Sequence, residues 1–249
     1  MPRAHLTIVF KLDTFNVILA LEHIQQVFVE RGLPLDGEVD GRSLKLPKVT
    51  EWLRKRGSTT FNLVGEAYEF DLGVVRNFNL DFLEIQSLAE PTVSWDAWAS
   101  PFISDPNFIM AWVADSEYEH WQNAYHPLQY TAVGKSYAHL PMRSNGLPYP
   151  LEEQIIDTSA NPGRRCLRNG YIEVVGGLMW LGELFWALTG ASKDRVDRAF
   201  PWLQTSHPTP SVVRIHADEG YFRSAEGISA RHQVDLRAVL FPSTVPVSP

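Results

Sequence analysis

Short strand-like runs and helical patterns are interleaved along this chain with no regular alternation between them. Residues 6–10 (LTIVF) read as a buried strand. Val17, Leu21, Ile24 and Phe28 then recur at helical spacing with Glu22, Gln26 and Glu30 opposite; Asp13 or Thr14 can start that helix, and Gly32 and Pro34 end it. Further strands are expected at 60–64, 80–85, 108–113, 171–175 and 212–216. Helices are expected at 48–56, with Pro47 in the first turn and Gly57 as the stop, at 93–99, from Ser116 onward, at 178–188 (buried), at 193–200 and at 229–240. Residues 35–41 are rich in turn formers, and 130–150, rich in Gly, Pro and Tyr, read as loop with isolated strand pieces. A doubly wound parallel sheet needs steady strand–helix alternation, so the pattern implies an α+β protein: a mixed or antiparallel sheet packed with several helices.

Eight Trp, thirteen Phe and eight Tyr in 249 residues supply ample surface for a core without a metal or disulfide staple. No repeat, low-complexity block or linker divides the chain. One α+β domain is expected over 1–241, and the Pro- and Ser-rich segment 242–249 is expected to fray. A single cysteine, Cys166, rules out an intramolecular disulfide and fits a reducing compartment. The apolar stretch 6–10 is too short for a signal peptide, and the longest apolar run, 178–188, contains Glu183 and is too short for a bilayer. Cytoplasmic residence is the expectation, with no membrane partner. The formal charge of -7 makes nucleic acid a poor partner and a basic protein a good one. Arg54, Lys55 and Arg56, and Arg164, Arg165 and Arg168, read as solvated surface.

Motifs of known chemistry fail at defining positions. Gly134, Lys135 and Ser136 resemble the end of a phosphate-binding loop, but Gln129 occupies the place of its first glycine. Asp36, Glu38, Asp40 and Gly41 resemble the opening of a calcium loop whose twelfth position, a bidentate Glu, is here Pro47. The eight histidines show no metal-ligand spacing, no serine sits in G-x-S-x-G, and Ser159 has no identifiable base nearby. Cys166, beside Arg165, reads as an inert small residue. No cofactor, metal or catalytic residue is therefore assigned, and the chain is not expected to be an enzyme. Asp115, Glu117 and Glu119 are explained by helix capping: Ser116 and Glu119 have capping-box spacing. Asp36, Glu38 and Asp40 have no capping role and form the candidate acidic contact.

Two segments resemble a known family. One is 108–130, with DSEYEHWQNA at 115–124; the other is 156–164 (IDTSANPGR), followed by GYIEV at 170–174 and MWLG at 179–182. Together they look like the immunity protein 52 family of bacterial polymorphic-toxin systems, a resemblance covering roughly residues 90–240. It implies an immunity protein for a secreted toxin, often a type VI secretion effector, here a nuclease with a restriction-endonuclease-like domain. It carries over no catalytic residue. The family-motif residues Asp115, Glu119, Trp121, Asp157, Pro162, Gly163, Arg164, Tyr171 and Trp180 are implied fold determinants, with Trp121, Tyr171 and Trp180 anchoring the core and Pro162 and Gly163 making a turn.

The expected function is thus neutralisation of a cognate toxin, a basic nuclease, by binding; homodimerisation is compatible with the aromatic content. Two rivals stand: an enzyme with a dispersed, hydrolase-like active site, which requires a concave pocket of converging polar groups with shifted pKa values, and a secretion adaptor, which binds the toxin without blocking it.

Overall fold

The computed structural model describes residues 3–39, 41–56, 60–217 and 220–242. Asp40, and residues 243–249 of the expected tail, lie outside them. In chain order the elements are β1 (Ala4–Lys11), α1 (Val17–Arg31), β2 (Asp36–Val39), β3 (Arg42–Lys45), α2 (Leu46–Arg56), β4 (Phe61–Gly65), β5 (Tyr68–Val75), β6 (Leu80–Ser87), α3 (Trp95–Ala99), β7 (Phe108–Asp115), α4 (Ser116–Asn123) and α5 (Pro127–Thr131). There follow β8 (Met142–Ser144), β9 (Gln154–Ile156), β10 (Cys166–Arg168), β11 (Tyr171–Glu173), β12 (Leu178–Leu181), α6 (Glu183–Thr189), α7 (Lys193–Asp197), β13 (Leu203–Thr209), β14 (Val212–Ala217) and α8 (Gly227–Leu240).

Strand β1 is buried from Ala4 to Phe10, as LTIVF demands, and sits inside a ten-stranded sheet ordered β13-β14-β12-β7-β1-β6-β5-β4-β2-β3. Every pairing in it is antiparallel, so the α+β class holds in its antiparallel form. Alternation along the strands separates two faces. Leu6, Ile8 and Phe10 of β1, with Phe70, Leu72, Leu83, Ile85, Val113 and Trp180, pack against α1, α2 and α3. Val9, Met110, Trp112, Met179, Leu181 and Ile215 pack on the other face with Phe185 of α6 and Leu236 and Leu240 of α8. This second layer belongs to the β7, β12, β14 half of the sheet.

Three expectations need correction. Residues 178–188 are not one helix: β12 occupies 178–181 between β7 and β14, and α6 begins only at Glu183. An apolar run of this length fits a central strand as well as a buried helix. The break falls at Gly182, where a Cβ would lie 2.6 Å from the Phe108 carbonyl oxygen. Glu183 is exposed in the first turn of α6 and paired with Lys193. The turn-rich 35–41 contains a strand, β2, paired with β4 on one side and hairpinned to the edge strand β3 on the other. Helix α1 starts not at Asp13 or Thr14 but after Asn16, whose side chain accepts from the Ile18 and Leu19 N–H groups at 3.1 Å. Among the described residues no helix is long and apolar enough to cross a membrane.

A buried ionic knot ties the last helix to the middle of the chain. Glu173 of β11, 1% exposed, takes Arg237 of α8 at 2.9 Å and Arg168 at 2.6 Å, with Arg164 at 3.7 Å. Arg237 also donates to the Arg164 and Pro162 carbonyls at 2.6 and 3.2 Å. Burial pushes the Glu173 carboxyl up, but its hydrogen bonds from Arg168 and the charge of Arg237 outweigh that and hold it below the ordinary range. We expect Arg237→Met to cost about 3–5 kcal/mol, because it strips a buried carboxylate of its most buried cation; urea denaturation reads the loss.

Candidate functional site

The second sheet face is only half roofed. Over β2, β4, β5 and β6 it carries polar side chains in place of a helix layer. Facing residues across paired strands point the same way, and the registers line up Glu38, Val64, Glu69, Gln86 and His5 in one row. The neighbouring row runs Asn62, Asp71, Glu84 and Thr7. Asp36 and Glu38, the candidate acidic contacts, are exposed and share this face with Glu69, Asp71 and Glu84. Asp71 and Glu84 are directly opposed, a like-charge pairing that costs stability. Asn62 partly offsets it by donating to Asp71 at 2.8 Å and Glu69 at 2.9 Å. Among the described residues, no lysine or arginine forms an ion pair with Glu69, Asp71 or Glu84.

At the β1 end this face runs into a polar cleft of about 330 Å³ lined by His5, Glu84, Ser116, Glu119, Asn123 and Arg165, among others. Helix α4 roofs it, and α4 follows β7 without a loop because Asp115 ends the strand and caps the helix, accepting from the Tyr118 N–H at 2.9 Å. The expected capping box of Ser116 and Glu119 is therefore not formed. With Asp115 as cap, Ser116 is released to contact His5 Nδ1 at 3.0 Å, and Glu119 turns inward. Its carboxylate lies 3.1 Å from His5 Nε2 and 3.4 Å from Arg165, and accepts from the Trp112 indole at 3.3 Å.

The titrations follow from this packing. Burial pushes His5 down, but contact with Glu119 more than compensates, leaving its pKa raised. Burial pushes Glu119 up, and His5 with Arg165 outweighs it, so Glu119 is held low. Glu84 is raised, by burial first, then by the charges of Glu119 and Asp71 working against His5 and Arg165. The cleft is thus a concave site of converging polar groups with shifted pKa values. Among the described residues no three His, Cys, Asp or Glu side chains are placed to hold a metal ion.

The other residues singled out by the resemblance lie in the surrounding frame. Trp180 is fully buried, whereas Tyr171 stacks on Phe241 at the edge of the core and Trp121 is half-buried over Tyr130 with the Lys135 ammonium 3.8 Å from its ring centre. Asn161 to Arg164 form a turn around Pro162 and Gly163. A Cβ on Gly163 would sit 2.6 Å from Gln122 Cγ, so only glycine lets this turn pack on α4. Asp157 accepts from the Ser159 N–H at 2.9 Å and pairs with Arg143 at 3.5 Å. Cys166 is half-buried in β10. His5, Glu84 and Arg165 were not nominated from sequence; the signal available was the alternation of Glu84 and Gln86 with buried Leu83 and Ile85.

A large antiparallel sheet with helices on both faces is a fold already seen in a bacterial secretion protein. The solved structure is that of the Pseudomonas aeruginosa T6SS protein PA0821, which superposes with a TM-score of 0.55 over 96% of this chain and 73% of that one, at 13% identity. At that identity the fold is what the two share. No protein-family model and no curated protein matches the chain.

The His5–Glu119 pair makes stability depend on pH with a definite sign. A histidine whose folded pKa is raised above 6.5 stabilises fully below that value and loses its contribution as pH climbs through the folded pKa. The stability advantage of the native chain over His5→Gln should therefore be larger at about pH 6 than at about pH 9, as read by urea denaturation at both; an advantage that grows with pH would contradict the pairing.

Proposed function

We propose that the chain is an immunity protein, an inhibitor that binds and neutralises a cognate secreted toxin, the toxin being a basic nuclease effector of a type VI secretion system. The observation that carries this reading is the acidic half of the second sheet face. Asp36, Glu38, Glu69, Asp71 and Glu84 share one face, and a cationic partner relieves the Asp71–Glu84 opposition on binding. A nuclease must present positive charge to nucleic acid, so it offers the complementary surface. Two further facts support the reading: the structural neighbour is a T6SS protein, and the immunity-like segments lie in the described fold around α4 and the 161–164 turn. The test is co-expression with the toxin-like product of the adjacent gene in a sensitive cell. Rescue of growth with co-purification is the expected outcome. Binding without inhibition in a nuclease assay would indicate an adaptor instead. Asp36→Lys with Glu38→Lys should slow association by about tenfold at low ionic strength, converging with the native chain at high salt; unchanged association at low salt would remove these residues from the interface.

A second reading, a hydrolase, has one observation in its favour: Ser116, His5 and Glu119 stand in hydroxyl–imidazole–carboxylate order, at 3.0 and 3.1 Å, in an open polar cleft. Ser116 Oγ would add to an ester carbonyl while its proton passes to His5 Nδ1 and then to the leaving alkoxide, with water releasing the acyl group. Because Glu119 raises the His5 pKa, such activity would increase with pH. Labelling of Ser116 by a fluorophosphonate, abolished in Ser116→Ala, would establish this reading, and absence of labelling would remove it.

A further inference from the structure

Exposed large apolar side chains are concentrated in one stretch of this molecule. Among the described residues, seven of thirteen fall between Tyr125 and Leu151. Most project from the hairpin formed by β8 and β9, whose register pairs Met142 with Ile156 and Ser144 with Gln154. At its tip Tyr149 is 91% exposed, Leu151 63% and Leu147 51%. A monomeric protein gains nothing by holding three such side chains in water, and clustered exposed apolar surface marks interaction sites.

The tip is nevertheless built, not slack. Asn145 organises it: its N–H donates to the Glu153 carbonyl at 2.9 Å, its side-chain amide donates to the Leu151 carbonyl at 2.9 Å, and its side-chain oxygen accepts from the Leu147 N–H at 3.0 Å. The Leu151 N–H closes a turn on the Pro148 carbonyl at 2.9 Å, and the Ser144 hydroxyl donates to Glu152 at 3.1 Å. Pro148 and Pro150 bracket Tyr149 and restrict the backbone on both sides. The base is fixed too: the Ile156 N–H donates to the Tyr125 carbonyl at 2.7 Å, and Ile156 packs in a small core with Ala124 and Tyr130. Ordering costs that a flexible loop meets on binding are already met here.

We infer that this hairpin tip is a preformed inhibitory loop, with Tyr149 as the anchor and Leu147 and Leu151 beside it, inserting into an apolar pocket of a partner protein. The inference rests on the inhibitor reading above and names its contact. Charge specifies the partner's rim. Segment 144–156 carries Glu152 and Glu153 and no Lys or Arg, and Arg143 at its base is paired with Asp157. The receiving pocket is therefore edged by lysine or arginine, in keeping with a basic effector. An exposed tyrosine between prolines suits the anchor role: it buries a large ring for the loss of little conformational freedom, and such residues dominate interface energetics.

The experiment measures affinity of the full chain for the purified, catalytically inactivated effector encoded by the adjacent gene. Tyr149→Ala should weaken binding at least about 30-fold, and Tyr149→Ala with Leu151→Ala at least about 100-fold. The unfolding midpoint should not fall, since both side chains are exposed. Segment 145–153 should gain protection from hydrogen exchange in the complex. Native affinity in the double variant overturns the loop assignment while leaving the inhibitor reading in place. No binding by the native chain overturns both. Weakened binding without hydrogen-exchange protection of the tip overturns direct insertion.

Discussion

Everything in this fold is referred to β1. As the fifth of ten strands it is paired on both edges, with β6 and β7, and its side chains divide the molecule into two faces. Leu6, Ile8 and Phe10 commit one face to a continuous apolar core under α1 to α3. On the other face Val9 begins the second core, while Thr7 and His5 end it. Buried polar groups need partners, so the strand's polar residues require something polar above and beside them. Glu84 and Gln86 of β6 and the inward side of α4 supply it.

The consequence is a molecule with two unlike halves on one sheet face. Where α6 and α8 cover β7, β12 and β14, packing is apolar and the ionic groups are buried in a closed knot around Glu173. Over β4, β5 and β6 the same face carries the half-buried acids Glu69, Asp71 and Glu84, none of which forms an ion pair with a lysine or arginine among the described residues. The cleft at the border joins the two regimes: Glu119 pairs with His5 and Arg165 and accepts from Trp112, while Glu84 accepts a long hydrogen bond from Thr7 at 3.5 Å. The acidic sheet and the β8–β9 tip are complementary in kind. In the proposed inhibitor, long-range charge would steer the encounter and the apolar tip would hold the complex once formed.

The parts of the fold legible in the sequence are those where one segment carries its own signal. The strand at 6–10, the apolar stripe of α1 and the start of α4 near Ser116 all have a period or a stop that does not depend on distant partners. Two of the misreadings share one cause. Whether 178–181 is strand or helix depends on whether β7 and β14 flank it, and whether Ser116 or Asp115 caps α4 depends on whether His5 competes for the hydroxyl. Strand β13, with the sequence LQTSHPT, is held as an edge by β14 and has little strand signature of its own. Strand β5 carries the alternation of Tyr68, Phe70 and Leu72 with Glu69 and Asp71, a local signal, yet it is not among the expected strands.

The same division applies to the sites. Composition and spacing by themselves determined an acidic α+β chain with abundant aromatic surface and an acidic character at Asp36 and Glu38. Only the tertiary structure decided that these acids share a face with Glu69, Asp71 and Glu84, that His5 meets Glu119 from 114 residues away in sequence, and that Tyr149 stands in water on a braced tip. The physical reason is that charge and hydropathy belong to individual residues, whereas strand register and burial are properties of pairs. Which side chains become neighbours is fixed only when the sheet closes around β1.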